Sequence, residues 1–355
     1  MSADLFSLST SSAQILEGTG SEFDALLTSA ARARLQRFAA TLALPARTVC
    51  LECRLNEDER VDLALFLVAR TAQLVPALET LGRSHASSPT WVRCVQMLLR
   101  WANSEEPILN GVPFLYTAFD LHSSATQVPV PCLSLCADAS FFMRRLGLPV
   151  PRSSPDGPIQ LLDSCVKNLE LEDLLGPLRE RARVCLNAVE DTEVRHLSLM
   201  LARDPVSLKF DITVPIEALG TFLSTSGRSE DPHELTAALR YLAPWQRRVQ
   251  LNYVLHSVAE APPALEVELC CTGEDEGNAE QRAQLLQRLA DLGLASSSKV
   301  DALLTLLASP AVTDTRGQRV ARNWYLKLRF EAAKVVSAKA YVGLTQRGQG
   351  AVATA

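Results

Sequence analysis

Strand-like segments come in adjacent pairs along this chain of 355 residues, and helical segments lie between the pairs. In residues 47–55, for example, Val49, Leu51 and Cys53 occupy every second position, which is the period of a half-buried strand. Short turns join the two members of a pair, which antiparallel pairing permits and parallel pairing does not. We therefore predict an α+β fold built of antiparallel sheets with helices packed on one face.

The two periods locate the elements along the chain. Alternation of apolar and polar residues indicates strands, whereas apolar residues at helical spacing indicate helices. The predicted strand pairs are 47–55 with 61–69, 114–121 with 131–138, 196–202 with 206–214, 248–255 with 264–271, and 323–331 with 338–347. The predicted helices are 22–44, 71–82, 90–102, 171–189, 215–224, 233–243, 278–294 and 300–308.

The clearest break in the pattern is GLPVPRSSPDGP at residues 147–158. It holds four of the nineteen prolines together with glycines and serines, and it is the best linker candidate. Four regions are predicted around it: a flexible N-terminal arm at 1–20, an N-terminal α+β half at 21–146, a linker at 147–170 and a C-terminal α+β half at 171–347.

The two predicted halves show signs of an internal repeat. When residues 115–136 are moved forward by 134 positions, they meet residues 249–270 without a gap, and seven positions are identical. One of the identical pairs is His122 with His256. We interpret the pattern as two pseudo-repeated halves, with a chance match as the alternative.

Composition argues against several classes of protein. The net charge of −5 argues against a general nucleic-acid binder, which usually needs a broad basic surface. We see no signal peptide, and no apolar stretch approaches the ~20 residues that span a membrane. Nine irregularly spaced cysteines, with Cys270 next to Cys271, indicate reduced thiols. We therefore predict a cytoplasmic protein with no nucleic-acid or membrane partner.

The familiar catalytic and cofactor motifs are missing from the sequence. It contains no GxGxxG, GxxxxGKS, GxxxxGKT or GxSxG, so nucleotide-binding and α/β-hydrolase functions lose their usual support, and no histidine stands in an HExxH motif. Cys50 and Cys53 have the spacing of a redox or zinc pair, but residues three apart on a strand point to opposite faces, so we interpret them as structural. No metal and no cofactor are predicted. A single general base would leave no motif, and His196 and His256 are the candidates for that role.

The predicted C-terminal strand pair carries a polar face with tyrosines and cations together. Three of the six lysines of the chain lie in this segment, and the hairpin 196–214 adds two more cations. Such a surface suits a carboxylate or an acidic peptide, and its edge strands suit the addition of a peptide strand. The ordinary polar face of a one-sided sheet is the alternative. The candidate peptide-binding residues are Arg203, Lys209, Tyr325, Lys327, Arg329, Lys339 and Tyr341.

A family resemblance rests on short motifs in a fixed order. Across residues 110–345 the chain resembles the peptide-binding accessory proteins of crocagin-type ribosomal peptide biosynthesis. It departs from the pattern of that family at Thr117-Ala118, where Leu-Glu is expected, and at Trp324-Tyr325, where small polar residues are expected. The motifs that carry the resemblance are FLYTAFDLHSSATQVPVPCLSL, HLSLMLARDPVSLKF, ALEVELCC, EQRAQLLQRLADLGLASSSKVDALL, YLKLRF and AKAYVGL.

The resemblance implies a presenting role. A protein of this kind binds a ribosomal precursor peptide and presents it to modifying enzymes of the same pathway, which build a pyrroloindoline core. It is not expected to be a self-sufficient enzyme, and a homodimer is compatible with the role. The resemblance carries peptide binding to Arg203, Lys209, Lys327, Lys339 and Tyr341.

Two other functions stay open. An aromatic prenyltransferase-like enzyme of the antiparallel-barrel type would use strand-borne Lys, Arg and Tyr side chains to hold a diphosphate. It requires these side chains to face a closed barrel interior, with a carboxylate among them that the sequence does not single out. A structural dimerisation partner requires instead a large apolar patch on one sheet and no pocket.

Overall fold

The computed structural model of the protein describes residues 11–17, 23, 26–57, 60–69, 71–103, 105, 107–121, 128–137, 157–176, 178–186, 192–203, 206–228, 230–256, 265–270, 277–309, 311–313 and 319–346. The strands are β1 (Thr48–Arg54), β2 (Val61–Val68), β3 (Phe114–Phe119), β4 (Cys132–Cys136), β5 (Glu193–Met200), β6 (Ser207–Pro215), β7 (Arg248–His256), β8 (Leu265–Leu269), β9 (Ala311–Thr313), β10 (Arg319–Glu331) and β11 (Lys334–Gln346).

Helices fill the intervals between the strand pairs. They are α1 (Ser12–Glu17), α2 (Ser29–Leu42), α3 (Leu74–Ser84), α4 (Pro89–Ala102), α5 (Pro107–Asn110), α6 (Gly157–Asn168), α7 (Glu172–Leu175), α8 (Leu178–Leu186), α9 (Leu219–Thr225), α10 (Pro232–Leu242), α11 (Ala279–Asp291) and α12 (Ser297–Ala308), with a 3₁₀ turn at Ile216–Ala218. Among the described residues, no helix is both long and apolar enough to cross a lipid bilayer.

The strands form one closed antiparallel barrel. Within the described part of the chain, β1 to β8 pair in sequence order, β8 pairs with β10, β10 with β11, and β11 returns to β1. The short β9 lies outside the ring and pairs only with β10. Closure leaves the ten ring strands without an open edge, which protects a sheet from unwanted pairing.

Alternation along each strand divides the side chains between two environments. One set packs against the surrounding helices, as Val49, Leu51 and Cys53 of β1 do. The other set points into the barrel interior, which we call the lumen. The helices contribute to the outer layer through their apolar faces; in α4, for example, Trp101 is fully buried and its Nε1 donates a hydrogen bond of 2.6 Å to the Val112 carbonyl.

The predicted fold class is confirmed in its coarser form. The sheet is antiparallel, and the helices pack on one face of it. The prediction of separate sheets in two halves is corrected, because β4 pairs with β5 and β11 pairs with β1, so both halves contribute to a single barrel. The repeat itself stays a prediction, although the same offset of 134 places β3 on β7 and β4 on β8.

Outside the strand pairs, some observed helices differ from the predicted elements. Helix α2 begins later than predicted, because Thr28 caps it by accepting a hydrogen bond from the Ala31 amide. Residues 157–168 of the predicted linker form α6, which the pattern did not indicate. Of the predicted N-terminal arm, Ser12–Glu17 form α1, and residues 1–10 and 18–20 lie outside the described residues, as do 147–156.

Candidate active site in the barrel lumen

A row of three cations crosses neighbouring strands on the lumen face. The register sets Lys327 of β10 opposite Lys339 of β11, and Lys339 opposite Arg54 of β1. Like charges directly opposite each other destabilise a sheet unless anions lie nearby. We call Arg54, Lys339 and Lys327 the cation row.

Carboxylates accompany each member of the cation row. Lys327 Nζ lies 3.1 Å from Glu268 Oε1 and 3.7 Å from Glu266 Oε2, both on β8. Lys339 Nζ lies 2.5 Å from Glu52 Oε1. Arg54 Nη1 lies 3.5 Å from Glu57, in the turn after β1. The row is therefore compensated by four carboxylates, three of which lie on lumen-facing strand positions.

Two residues further along the same strands lies a second row, about 7 Å from the first. Tyr325 stands opposite Tyr341, Tyr341 opposite Glu52, and Glu52 opposite Asp62 of β2. The two tyrosine rings stack with centroids 4.7 Å apart and 7° between their planes. The Tyr341 hydroxyl donates a hydrogen bond of 2.5 Å to Glu52 Oε2. These four residues are the tyrosine–carboxylate row.

The two rows contact each other. Lys327 Nζ lies 4.8 Å from the centre of the Tyr341 ring, within the range of a cation–π interaction. Glu52 links the rows as well, because one of its oxygens binds Lys339 and the other binds Tyr341. An aromatic surface, a carboxylate and a set of cations are therefore joined in one part of the lumen.

The environment keeps these groups charged at neutral pH. Burial raises the pKa of Glu52, but Lys339, Lys327 and the two hydrogen bonds outweigh it and lower that pKa to about 2. Burial lowers the pKa of Lys327, yet Glu268, Glu266 and Glu52 raise it well above its ordinary value. The pKa of the Asp62 carboxyl rises to about 6, through burial first and then through the charge of Glu52.

A hydrogen-bonded chain continues around the lumen wall. Glu268 accepts a hydrogen bond of 3.0 Å from Asn252 Nδ2, and Lys209 Nζ donates one of 3.4 Å to Asn252 Oδ1. Lys209 also lies 3.1 Å from Asp211 Oδ1, whose Oδ2 lies 3.2 Å from His196 Nδ1. The chain links β5, β6, β7, β8 and β10.

The lumen wall beside this chain, on β2, β3 and β4, is apolar. A small cluster of Phe66, Val68, Phe114, Tyr116 and Cys136 packs separately from the main core. The Phe66 ring lies 5.0 Å from that of Phe114 and 4.7 Å from that of Tyr116. Tyr116 meets the ring of His196 edge-on at 5.5 Å, so the apolar cluster and the polar chain adjoin. The lumen thus offers one apolar and one charged region.

Most of the candidate binding residues predicted from the sequence lie on strands of the barrel. Lys209, Tyr325, Lys327, Arg329, Lys339 and Tyr341 occupy lumen-facing positions, although Arg329 is half exposed and pairs with Glu331 near the end of β10. Arg203 is exposed in the turn between β5 and β6. Their role in binding stays a prediction.

Sequence reasoning missed the carboxylates of the site. Glu52, Asp211, Glu266 and Glu268 stand at polar positions of predicted strands, and that alternation was the available signal. Of the two histidines nominated as a base, His196 has a carboxylate partner, whereas His256 ends β7 and its carbonyl accepts a hydrogen bond of 3.1 Å from Arg181. His122 and Cys271 lie outside the described residues.

The described cysteines form no disulfide and belong to no group that could hold a metal ion. Cys53 packs into the main core, while Cys50 takes the opposite, lumen-facing side of β1, as their spacing predicted. All eight described cysteines are free. The part of the chain that the structure describes contains no group of three or more His, Cys, Asp or Glu side chains that could hold a metal ion.

Comparison with known proteins finds likeness in structure only. No protein-family model and no curated protein matches the sequence. The solved structure of 6-dimethylallyltryptophan synthase from Micromonospora olivasterospora, in complex with DMASPP and Trp, matches with a TM-score of 0.56 and 13% identity, over 95% of this chain and 97% of that one. The 5-dimethylallyl tryptophan synthase of Streptomyces coelicolor, also with DMASPP and Trp, matches with a TM-score of 0.50 and 12% identity, over 98% of each chain. The structure of NotF in complex with brevianamide F and DMSPP matches with a TM-score of 0.53 and 14% identity, over 97% of this chain and 96% of that one.

The chain has the prenyltransferase barrel fold. This finding overturns the resemblance to peptide-binding accessory proteins of crocagin-type biosynthesis, and the presenting function drawn from it is wrong, because the solved structures that share the architecture are aromatic prenyltransferases. The error has a physical source. Segments such as YLKLRF and AKAYVGL record only the alternation of a strand with one buried face, and unrelated antiparallel sheets share that alternation.

Proposed function

We propose that the protein is an aromatic prenyltransferase-like enzyme, which moves an isoprenoid group from its diphosphate to an aromatic acceptor inside the lumen. One observation carries the proposal: the cation row lies beside two stacked tyrosines and a half-buried carboxylate on the inner face of a closed barrel. The fold shared with three prenyltransferase structures supports it. Fold alone does not assign function, so the argument rests on these side chains.

The donor diphosphate fits the cation row. Arg54, Lys339 and Lys327 present three positive charges on adjacent strands, and phosphate oxygens are acceptors for both guanidinium and ammonium groups. Because these cations already pair with carboxylates, the diphosphate shares Lys339 with Glu52, and Lys327 with Glu266 and Glu268. Positive charge at the phosphates stabilises the departing diphosphate, so the same residues bind the donor and promote its ionisation.

The tyrosine pair fits the isoprenoid group. When the allylic carbon–oxygen bond breaks, the electron pair leaves with the diphosphate and the allylic carbon carries positive charge. The electron-rich faces of Tyr325 and Tyr341 lie one row away from the cations and stabilise such a charge through cation–π attraction. Aromatic walls also keep water from the allylic carbon, which protects it from hydrolysis.

Glu52 fits the acceptor. Its carboxylate is ionised and can accept a hydrogen bond from the N–H of an indole, which orients the ring and increases its electron density. The ring then attacks the allylic carbon to form the new carbon–carbon bond. The apolar cluster around Phe66 and Phe114 offers further surface for an aromatic acceptor.

The direct test is turnover. The purified full chain is incubated with dimethylallyl diphosphate and tryptophan, and prenylated tryptophan is measured by mass spectrometry. We expect product from the wild type and a loss of roughly 10²-fold or more in Glu52→Gln, the range seen when one preorganised electrostatic group is removed. The matched control is Glu331→Gln, at the exposed end of β10, which should retain activity. Absence of product with tryptophan, brevianamide F and simple indoles, or an unaffected Glu52→Gln, contradicts the proposal.

The cytoplasmic location predicted from composition belongs with this proposal. The eight described cysteines are all free, and free thiols fit a reducing compartment.

A further inference from the structure

His196 and Asp211 form a dyad on the lumen wall, next to the apolar cluster. The two residues are opposite each other on β5 and β6, and His196 Nδ1 lies 3.2 Å from Asp211 Oδ2. Lys209 holds the other oxygen of Asp211 at 3.1 Å. The carboxylate is therefore fixed from two sides, and it fixes the orientation of the imidazole in turn.

The pairing with Asp211 determines where the imidazole can accept a proton. A neutral imidazole that donates its Nδ1–H to a carboxylate carries its lone pair on Nε2. The imidazolium that forms after protonation is stabilised by the same carboxylate, which is the role of the acidic partner in acid–base dyads. The arrangement favours His196 as an acceptor of one proton.

The dyad belongs to the same lumen as the proposed transfer site. The His196 side chain is 14% exposed, and its ring touches Tyr116 of the apolar cluster. From Asp211, contacts run through Lys209, Asn252 and Glu268 to Lys327 of the cation row. His196 therefore borders the apolar cluster and is linked through this chain of contacts to the cation row.

We propose that His196, oriented by Asp211, is the base that removes the ring proton after prenyl transfer; this inference rests on the function proposed above. After the allylic carbon bonds to the ring, the attacked carbon carries both the new substituent and its original hydrogen. The proton moves to His196 Nε2, and the electron pair of the broken C–H bond returns to the ring and restores aromaticity. The imidazolium then gives the proton to the diphosphate product or to water.

Three of the nearby carboxylates are weak bases. The pKa of Glu52 is lowered to about 2, and lysines also hold the pKa values of Asp211 and Glu266 below their usual range despite burial. Each is therefore a weak acceptor at neutral pH. Asp62 is the competing candidate, because burial and the charge of Glu52 raise its pKa to about 6.

The experiment compares His196→Ala with His233→Ala, a matched change at an exposed position at the start of α10 outside the barrel. Turnover of dimethylallyl diphosphate with tryptophan is measured, and then repeated with ring-deuterated tryptophan and with added imidazole. In His196→Ala we expect about 10²-fold slower product formation, a primary isotope effect larger than that of the wild type, and partial recovery with imidazole. DMASPP binding is measured in parallel and should persist, which shows that the variant is folded.

The outcomes separate this inference from the function on which it rests. If the wild type makes no product with any aromatic acceptor, the proposed function itself is wrong. An active wild type with His196→Ala no slower than His233→Ala, or slower without an isotope effect and without rescue, overturns the role of His196. The same isotope effect in Asp62→Asn instead assigns the proton to Asp62 and also overturns it.

Discussion

Among single residues, Glu52 joins the cation row to the tyrosine–carboxylate row. It lies between a lysine and a tyrosine, and both of its oxygens are engaged. Its position on the lumen face follows from alternation in β1, but its partners lie on β11, near the other end of the chain. The sequence therefore indicated Lys339 and Tyr341 as a polar face, and it could not indicate that Glu52 completes that face, because only closure of the barrel brings β1 beside β11.

The pKa of Glu52 predicts a pH dependence of stability. Its folded value of about 2 lies below the ordinary 4.5, so its contribution is present above about pH 4.5 and is lost as the pH falls through 2. We expect Glu52→Gln to be less stable than the wild type by on the order of 3 kcal/mol at neutral pH, and the difference to shrink between pH 4.5 and 2. Denaturant unfolding at several pH values measures it. A constant difference across that range would contradict the assigned contacts.

Among the elements, β10 contributes most to the site and is also the strand whose pattern was most readable. Trp324, Leu326 and Leu328 pack outward, and Tyr325 and Lys327 point inward, as alternation predicted. The pairing within each predicted strand pair was predictable in the same way, because few residues separate the two strands in sequence. The pairings of β4 with β5 and of β8 with β10 were not, since helices separate these strands in sequence. The three residues of β9 are too few to show a period.

Substitutions of two cationic residues on β10, Lys327 and Arg329, should differ sharply in their effect on the free energy of unfolding. Lys327 is 6% exposed and lies between Glu268 and Glu266, whereas Arg329 is 50% exposed beside Glu331. Lys327→Ala leaves buried carboxylates without their cation and should cost about 3–5 kcal/mol. Arg329→Ala, the control on the same strand face, should change stability by less than about 1 kcal/mol. Guanidinium unfolding compares them, and equal effects would show that Lys327 is not enclosed as described.

For the whole molecule, the closed barrel predicts one cooperative unit. The predicted domain boundaries stay a prediction. The two predicted halves are joined by strand pairing at two places, between β4 and β5 and between β11 and β1. We expect β3 and β7 to lose hydrogen-exchange protection together as denaturant increases, and calorimetry to show a single transition. Early exchange of all of β1–β4 while β5–β8 stay protected would instead indicate two independently stable halves.

The cation row should bind the diphosphate of an isoprenoid donor. Calorimetric titration with DMASPP, the ligand present in the two synthase structures, tests it most directly. We predict binding to the wild type, a loss of at least about tenfold in affinity in Lys339→Ala, and unchanged affinity in Lys334→Ala, at the exposed start of the same strand. No binding to the wild type, or equal affinities in both variants, would show that the cation row is not a diphosphate site.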